Sequence, residues 1–246
     1  MKSTNESLRK RGMASEGDIA ALSDLTYEDL VAALHAADSC TRSAAAYCLR
    51  SQADRAADEL LGQLAGEKCL YTRIAVCECL EKGSIVTAEK MIGCLGHIGN
   101  NQYRVPPDKV SAKKSFPLPR DIIARSLGRM DISVFPALQR CLKESSCREQ
   151  ISELLDAVGY MVFYHPELAA ADNLQPVLAL ESPYSQDPLI LWKMILCLSA
   201  FPSADAKTVL LNYAQEQSIL GMEAQRSLKI LAMRKGTVYG CHTQFY

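Results

Sequence analysis

The chain has 246 residues, 48% of them hydrophobic and 22% charged, with a formal net charge of −1. That balance allows a buried core and excludes a disordered or collagen-like chain. No run approaches the roughly 18 apolar residues of a membrane span, and the basic start has no apolar stretch behind it, so neither a membrane anchor nor a signal peptide is expected.

Charge is uneven. Residues 1–12 carry a net +3 and residues 104–125 a net +4, which leaves −8 for the remainder. An acidic body with two basic segments does not suit a general nucleic-acid binder, which needs a broad positive face. None of the ten cysteines forms a CxxC pair, and most lie in apolar runs such as Tyr47-Cys48-Leu49 and Leu196-Cys197-Leu198. They read as small buried hydrophobes rather than zinc ligands, in a reducing cytoplasm. The four histidines, His35, His97, His165 and His242, show no ligand spacing, so no metal or cofactor is expected. Cys94 and His97 share a helical face, although spacing alone is a weak warrant for a nucleophile and its base. The glycines of Gly93-Cys94-Leu95-Gly96 come without a Walker lysine or a preceding strand and read as close helix packing.

In chain order, residues 1–17 are polar and expected to be flexible. Thr26 and Asp29 make a capping-box-like start for a helix over 26–36, with Leu30 and Leu34 on one face. Residues 41–49 form its successor. A second pair follows at 52–65, where Ala53, Ala56, Ala57, Leu60, Leu61 and Leu64 make one stripe, and at 72–80. Residues 85–98 and 119–127 make a third pair, separated by an irregular stretch over 99–119. Further pairs fall at 131–143 with 147–155, 167–180 with 184–200, and 204–215 with 220–234. Gly66, Gly83, Gly236, Pro166, Pro183 and Pro202 punctuate the ends. Sustained period-2 alternation is missing, so strands are not expected.

The second members of the first four pairs share a frame. Arg42, Arg73, Arg120 and Arg148 are each followed by Leu seven positions later, with separations of 31, 47 and 28 residues. A short amphipathic pair cannot bury its own apolar face, and stacking pair on pair does so. Asp38…Arg42-Ser43-Ala44-Ala45-Ala46 and Glu67…Arg73-Ile74-Ala75 resemble the acid, Arg and Ala-rich opening of the second helix in HEAT-like repeats, particularly bacterial ones with repeats near roughly 30 residues. The resemblance covers roughly residues 25–235 and weakens after the second pair. It implies an all-α, right-handed α-solenoid of about six helix pairs, forming one domain over 18–246 with an insertion at about 99–119.

Fold alone does not assign function. The resemblance implies a non-catalytic protein- or peptide-binding scaffold that works through a concave face lined by the second helices. An alternative is a nucleic-acid-binding protein that resembles HEAT-like DNA-alkylation-repair glycosylases, with Trp192 and the basic stretch 104–125 serving the channel; the acidic remainder opposes it. Bilin lyase relatives also carry such repeats, but no bilin-specific residue set is present. The insertion supplies the candidate binding residues Asn101, Tyr103, Arg104, Lys113, Lys114, Phe116 and Arg120, suited to an acidic or phosphorylated partner. The competing reading is a solvated loop. The recurring arginines read as structural, bonded to helix-end carbonyls or to acids such as Asp38 and Glu67, with an anion groove as the alternative. The segment 236–246, with Tyr239, Phe245 and Tyr246, is expected to cover the last pair.

Overall fold

The computed structural model describes residues 4–237, with side chains as far as Arg234. Every regular element among them is a helix or a 3-10 turn; no strand occurs among the described residues. The chain divides into two compact units. Among the described residues, the first holds those up to Asn100 together with Asp121–Ala137, and the second holds Asn101–Arg120 together with those from Leu138 onward. The insertion residues Asn101–Arg120 group with the C-terminal unit, whereas Asn100 and Asp121 on either side of them belong to the first.

In the first unit, α1 (Asn5–Lys10) and α2 (Glu16–Ala20) precede α3 (Tyr27–Leu34) and α4 (Ser39–Cys48). The stretch expected to be flexible therefore contains α1 and the start of α2, and both helices pack on α4. Its backbone is tied down: Tyr71 N–H donates to Arg11 O (2.9 Å) and the Ser43 hydroxyl to Gly12 O (2.6 Å). Thr26 caps α3 by accepting from Asp29 N–H (3.2 Å), one half of a capping box. The Asp29 carboxylate takes the Thr26 hydroxyl (2.7 Å) in place of the backbone N–H. Next come α5 (Ala53–Gly66), α6 (Leu70–Leu80), α7 (Ile85–Ile92) and α8 (Ile122–Leu127). The whole Ala53–Leu64 stripe of α5 is buried. α7 is shorter than the expected 85–98, since the chain beyond Gly93 turns through Gly96 and Gly99, both at positive φ (79° and 81°), where a helix cannot continue. Within this unit α3 packs on α4 and α5, α5 on α6 and α7, α4 on α6, and α8 on α6 and α7.

α9 (Phe135–Glu144) carries the chain into the second unit, followed by α10 (Arg148–Tyr164), α11 (Ala171–Leu178), α12 (Pro188–Leu198), α13 (Ala204–Tyr213) and α14 (Ile219–Thr237). α12 begins at Pro188 because Asp187 caps Leu189 and Ile190 N–H and Pro188 fits the first helical turn. Here α10 packs on α12 and α12 on α14, while α11 and α13 pack on α12 and α14 respectively. The expected C-terminal cover over 236–246 concerns residues 238–246, which lie outside the described residues.

Candidate functional site

The insertion is held down in the second unit by two devices. Phe116 is 3% exposed and packs edge-on against Tyr160 (6.4 Å between centroids) and tilted against Phe163 (5.8 Å). Gly159 of α10 makes that approach possible, because a Cβ there would overlap Phe116 Cζ and come within 2.8 Å of Cε2. Arg226 of α14 is the second device. Its Nη2 donates to the carbonyls of Lys113 (2.9 Å) and Ser115 (3.0 Å), two residues apart along the loop. Arg234 extends the support, lying over the Phe163 ring (4.2 Å) while its Nη1 donates to Phe163 O (2.7 Å).

The residues singled out from the sequence separate into three groups. Asn101, Tyr103 and Arg120 form one cluster: Arg120 Nη2 donates to Asn101 Oδ1 (2.7 Å), and its guanidinium lies over the Tyr103 ring (4.4 Å). Tyr103 meets Trp192 edge-on (5.1 Å between centroids, 75° between planes). Phe116 is a core anchor and offers no side chain to a partner. Arg104, Lys113 and Lys114 are exposed and form no salt bridge among the described residues.

The recurring arginines also diverge. Arg42 makes a forked pair with Glu67 (Nε–Oε2 2.8 Å, Nη2–Oε1 3.0 Å) and gives Nη1 to the carbonyls of Ala36 and Ala37. Glu67 in turn accepts from Lys68 and Cys69 N–H just before α6. Burial alone would raise its carboxyl, but the Arg42 fork and the Cys69 N–H bring it down to about 2. Arg148 repeats the arrangement with the α12 cap, Asp187 (Nη2–Oδ1 3.1 Å). Arg73 Nε is buried without an acceptor, and Arg120 belongs to the loop cluster.

Beneath the loop sits a set of buried charges with no counterpart in the sequence reading. Lys193 of α12 is fully buried; its Nζ donates to Glu153 Oε1 (2.8 Å) and lies 2.9 Å from Asp156 Oδ2, both from α10. Burial lowers the ammonium's pKa, but Asp156 and Glu153 outweigh it and hold it above the usual lysine value. Beside them Glu223 accepts from Arg226 Nη1 (2.7 Å) and from the Trp192 indole N–H (3.3 Å). Burial pushes the Glu223 carboxyl above the ordinary range, against the pull of Arg226. A signal existed: Lys193 stands alone in Leu189–Leu198, and a lysine inside such a run needs an acid nearby.

The Cys94 thiol is pushed up by burial, which disfavours the thiolate a nucleophile needs. The described cysteines are free thiols, and no group of three or more His, Cys, Asp or Glu side chains poised for a metal ion occurs among the described residues. No family model matches the chain, and no curated protein or solved structure is similar to it.

Proposed function

We propose that the chain is a non-catalytic binding module whose helix pairs are HEAT-like repeats in a right-handed α-solenoid, and that it holds an acidic, partly apolar peptide of a partner protein. The row of second helices within each unit, α4 with α6 and α8, then α10 with α12 and α14, supports the repeat reading.

The observation that carries the binding reading is a groove of about 370 Å3 between the loop and α14. Lys113, Lys114 and Lys229 stand exposed along it, and Met222 and Met233 are 45% and 44% exposed. Cations at the rim suit carboxylates, and flexible methionines suit an apolar side chain of varied shape. Because Arg226 and Phe116 fix the loop backbone, these cations are presented on a braced segment. Braced contacts cost less ordering entropy on binding. The glycosylase-like alternative loses its aromatic: Trp192 is 5% exposed and engaged with Glu223, so its indole is no open platform for a base.

The test is affinity capture on the full chain and on a Lys113→Glu/Lys114→Glu variant, followed by calorimetry with the purified partner. The reading expects an acidic partner segment, a binding constant that weakens with salt, and loss of roughly tenfold or more on charge reversal. Binding that is indifferent to both salt and charge reversal would overturn it.

A further inference from the structure

The loop also bounds a cavity of about 140 Å3, lined by Tyr103 and Pro117 from the loop and by Asp156, Trp192, Leu196, Glu223 and Arg226 from the helices. A dry engineered cavity of about 150 Å3 accepts benzene, so the space is close to that of a single ring. Trp192, Leu196 and Pro117 supply apolar walls, and one end is polar.

The inventory of hydrogen bonds at that end shows which guest would fit. Both Glu223 oxygens are taken, one by Arg226 Nη1 and one by the Trp192 N–H. Asp156 faces the Lys193 ammonium at 2.9 Å. Arg226, 7% exposed, spends Nη1 on Glu223 and Nη2 on two loop carbonyls, while its Nε–H is buried with no acceptor. A buried donor left unmet is costly. The Arg226 Nε–H is thus a buried donor without an acceptor, and a carboxylate guest supplies one. Lys109 and Arg120 also line the space and favour entry of an anion.

We propose that this cavity binds a small one-ring carboxylate, its ring against Trp192 and Leu196 and its carboxylate on the Arg226 guanidinium. The peptide groove is a second space along the same loop, and the two share Ser111 and Arg226 in their linings.

Trp192 is the only tryptophan in the chain and forms a wall of the cavity, so its fluorescence reports occupancy directly. The full chain is titrated with sodium benzoate, with neutral benzamide and with cationic benzamidine. The expected result is a saturable benzoate response, with affinity at least roughly tenfold tighter than either control. Arg226→Gln should weaken benzoate by roughly tenfold or more. Ser111→Phe, on the loop side of the cavity, should fill the space and abolish the response while the helical circular dichroism stays at wild type; it decides the matter if Arg226→Gln does not fold. No saturation with benzoate, equal responses to the three probes, or a benzoate response that survives Ser111→Phe would each overturn the proposal.

Discussion

The two units solve the same problem, burying polar groups inside helical packing, in opposite ways. Buried polar side chains of the first unit are mostly hydroxyls and end-capping acids, namely Ser43, Thr72, Thr87, Ser126, Glu67 and Asp121. They bond mostly to backbone and to each other, as Ser43 does to Gly12 O and Asp121 to Ala124 N–H, and Glu67 is the one member that also takes a charged partner, Arg42. The second unit instead buries a cluster of charges, Glu153, Asp156, Lys193, Glu223 and Arg226, that pair with one another, with Arg226 Nε–H left over. Capping groups stabilise helix ends outright. Buried ion pairs roughly break even against apolar packing, so their presence argues for specificity or binding more than for stability. The cavity and the braced loop lie in the second unit.

That contrast can be broken by removing single partners. Lys193→Met leaves Glu153 and Asp156 facing each other without their cation and should cost about 3–5 kcal/mol in urea denaturation. A loss below about 1 kcal/mol would mean that the cluster is hydrated and no different in kind from the caps. Phe116→Ala should cost about 3 kcal/mol and release the loop, seen as new proteolytic cleavage within 101–120. If cleavage elsewhere rises equally, the loop is not a separately braced element. In the first unit, Glu67→Gln should cost about 2 kcal/mol at neutral pH, the range for hydrogen bonds to a charged group. Because the Glu67 pKa is lowered on folding, from 4.5 to about 2, its stabilisation is complete above pH 4.5 and fades as pH falls toward 2. The stability gap between wild type and Glu67→Gln should close over that window, and a pH-independent gap would contradict the pairing. The smallest effect is expected for Lys113→Glu/Lys114→Glu, whose exposed side chains should change stability by no more than about 0.5 kcal/mol.

Helix positions were legible because burial on one face imposes its period on the sequence. The α5 stripe from Ala53 to Leu64 is the plainest case, and every member is buried. The irregular nature of 99–119 was equally plain from its prolines and lysines. Its role was not. Phe116 in a polar loop reads the same whether it awaits a partner or fills a core, and only Gly159, more than forty positions onward, decides it. The charged floor escaped for the same reason. Glu153 and Asp156 look like the wet side of an amphipathic helix until Lys193, forty residues away, is brought against them. Periodicity marks every turn, whereas the non-local pairing left a single mark, the lone Lys193 in an apolar run, and did not say which acids meet it.

The reach of Arg226 has a consequence for how the molecule is made. Its bond to Lys113 O spans 113 positions. At roughly 5–20 residues per second, a ribosome needs about 6–23 s to travel that far. Throughout that interval the nascent insertion exists without its clasp, so its closure must be a late step of biogenesis, and a chain cut short before α14 would leave the segment open to proteases and chaperones.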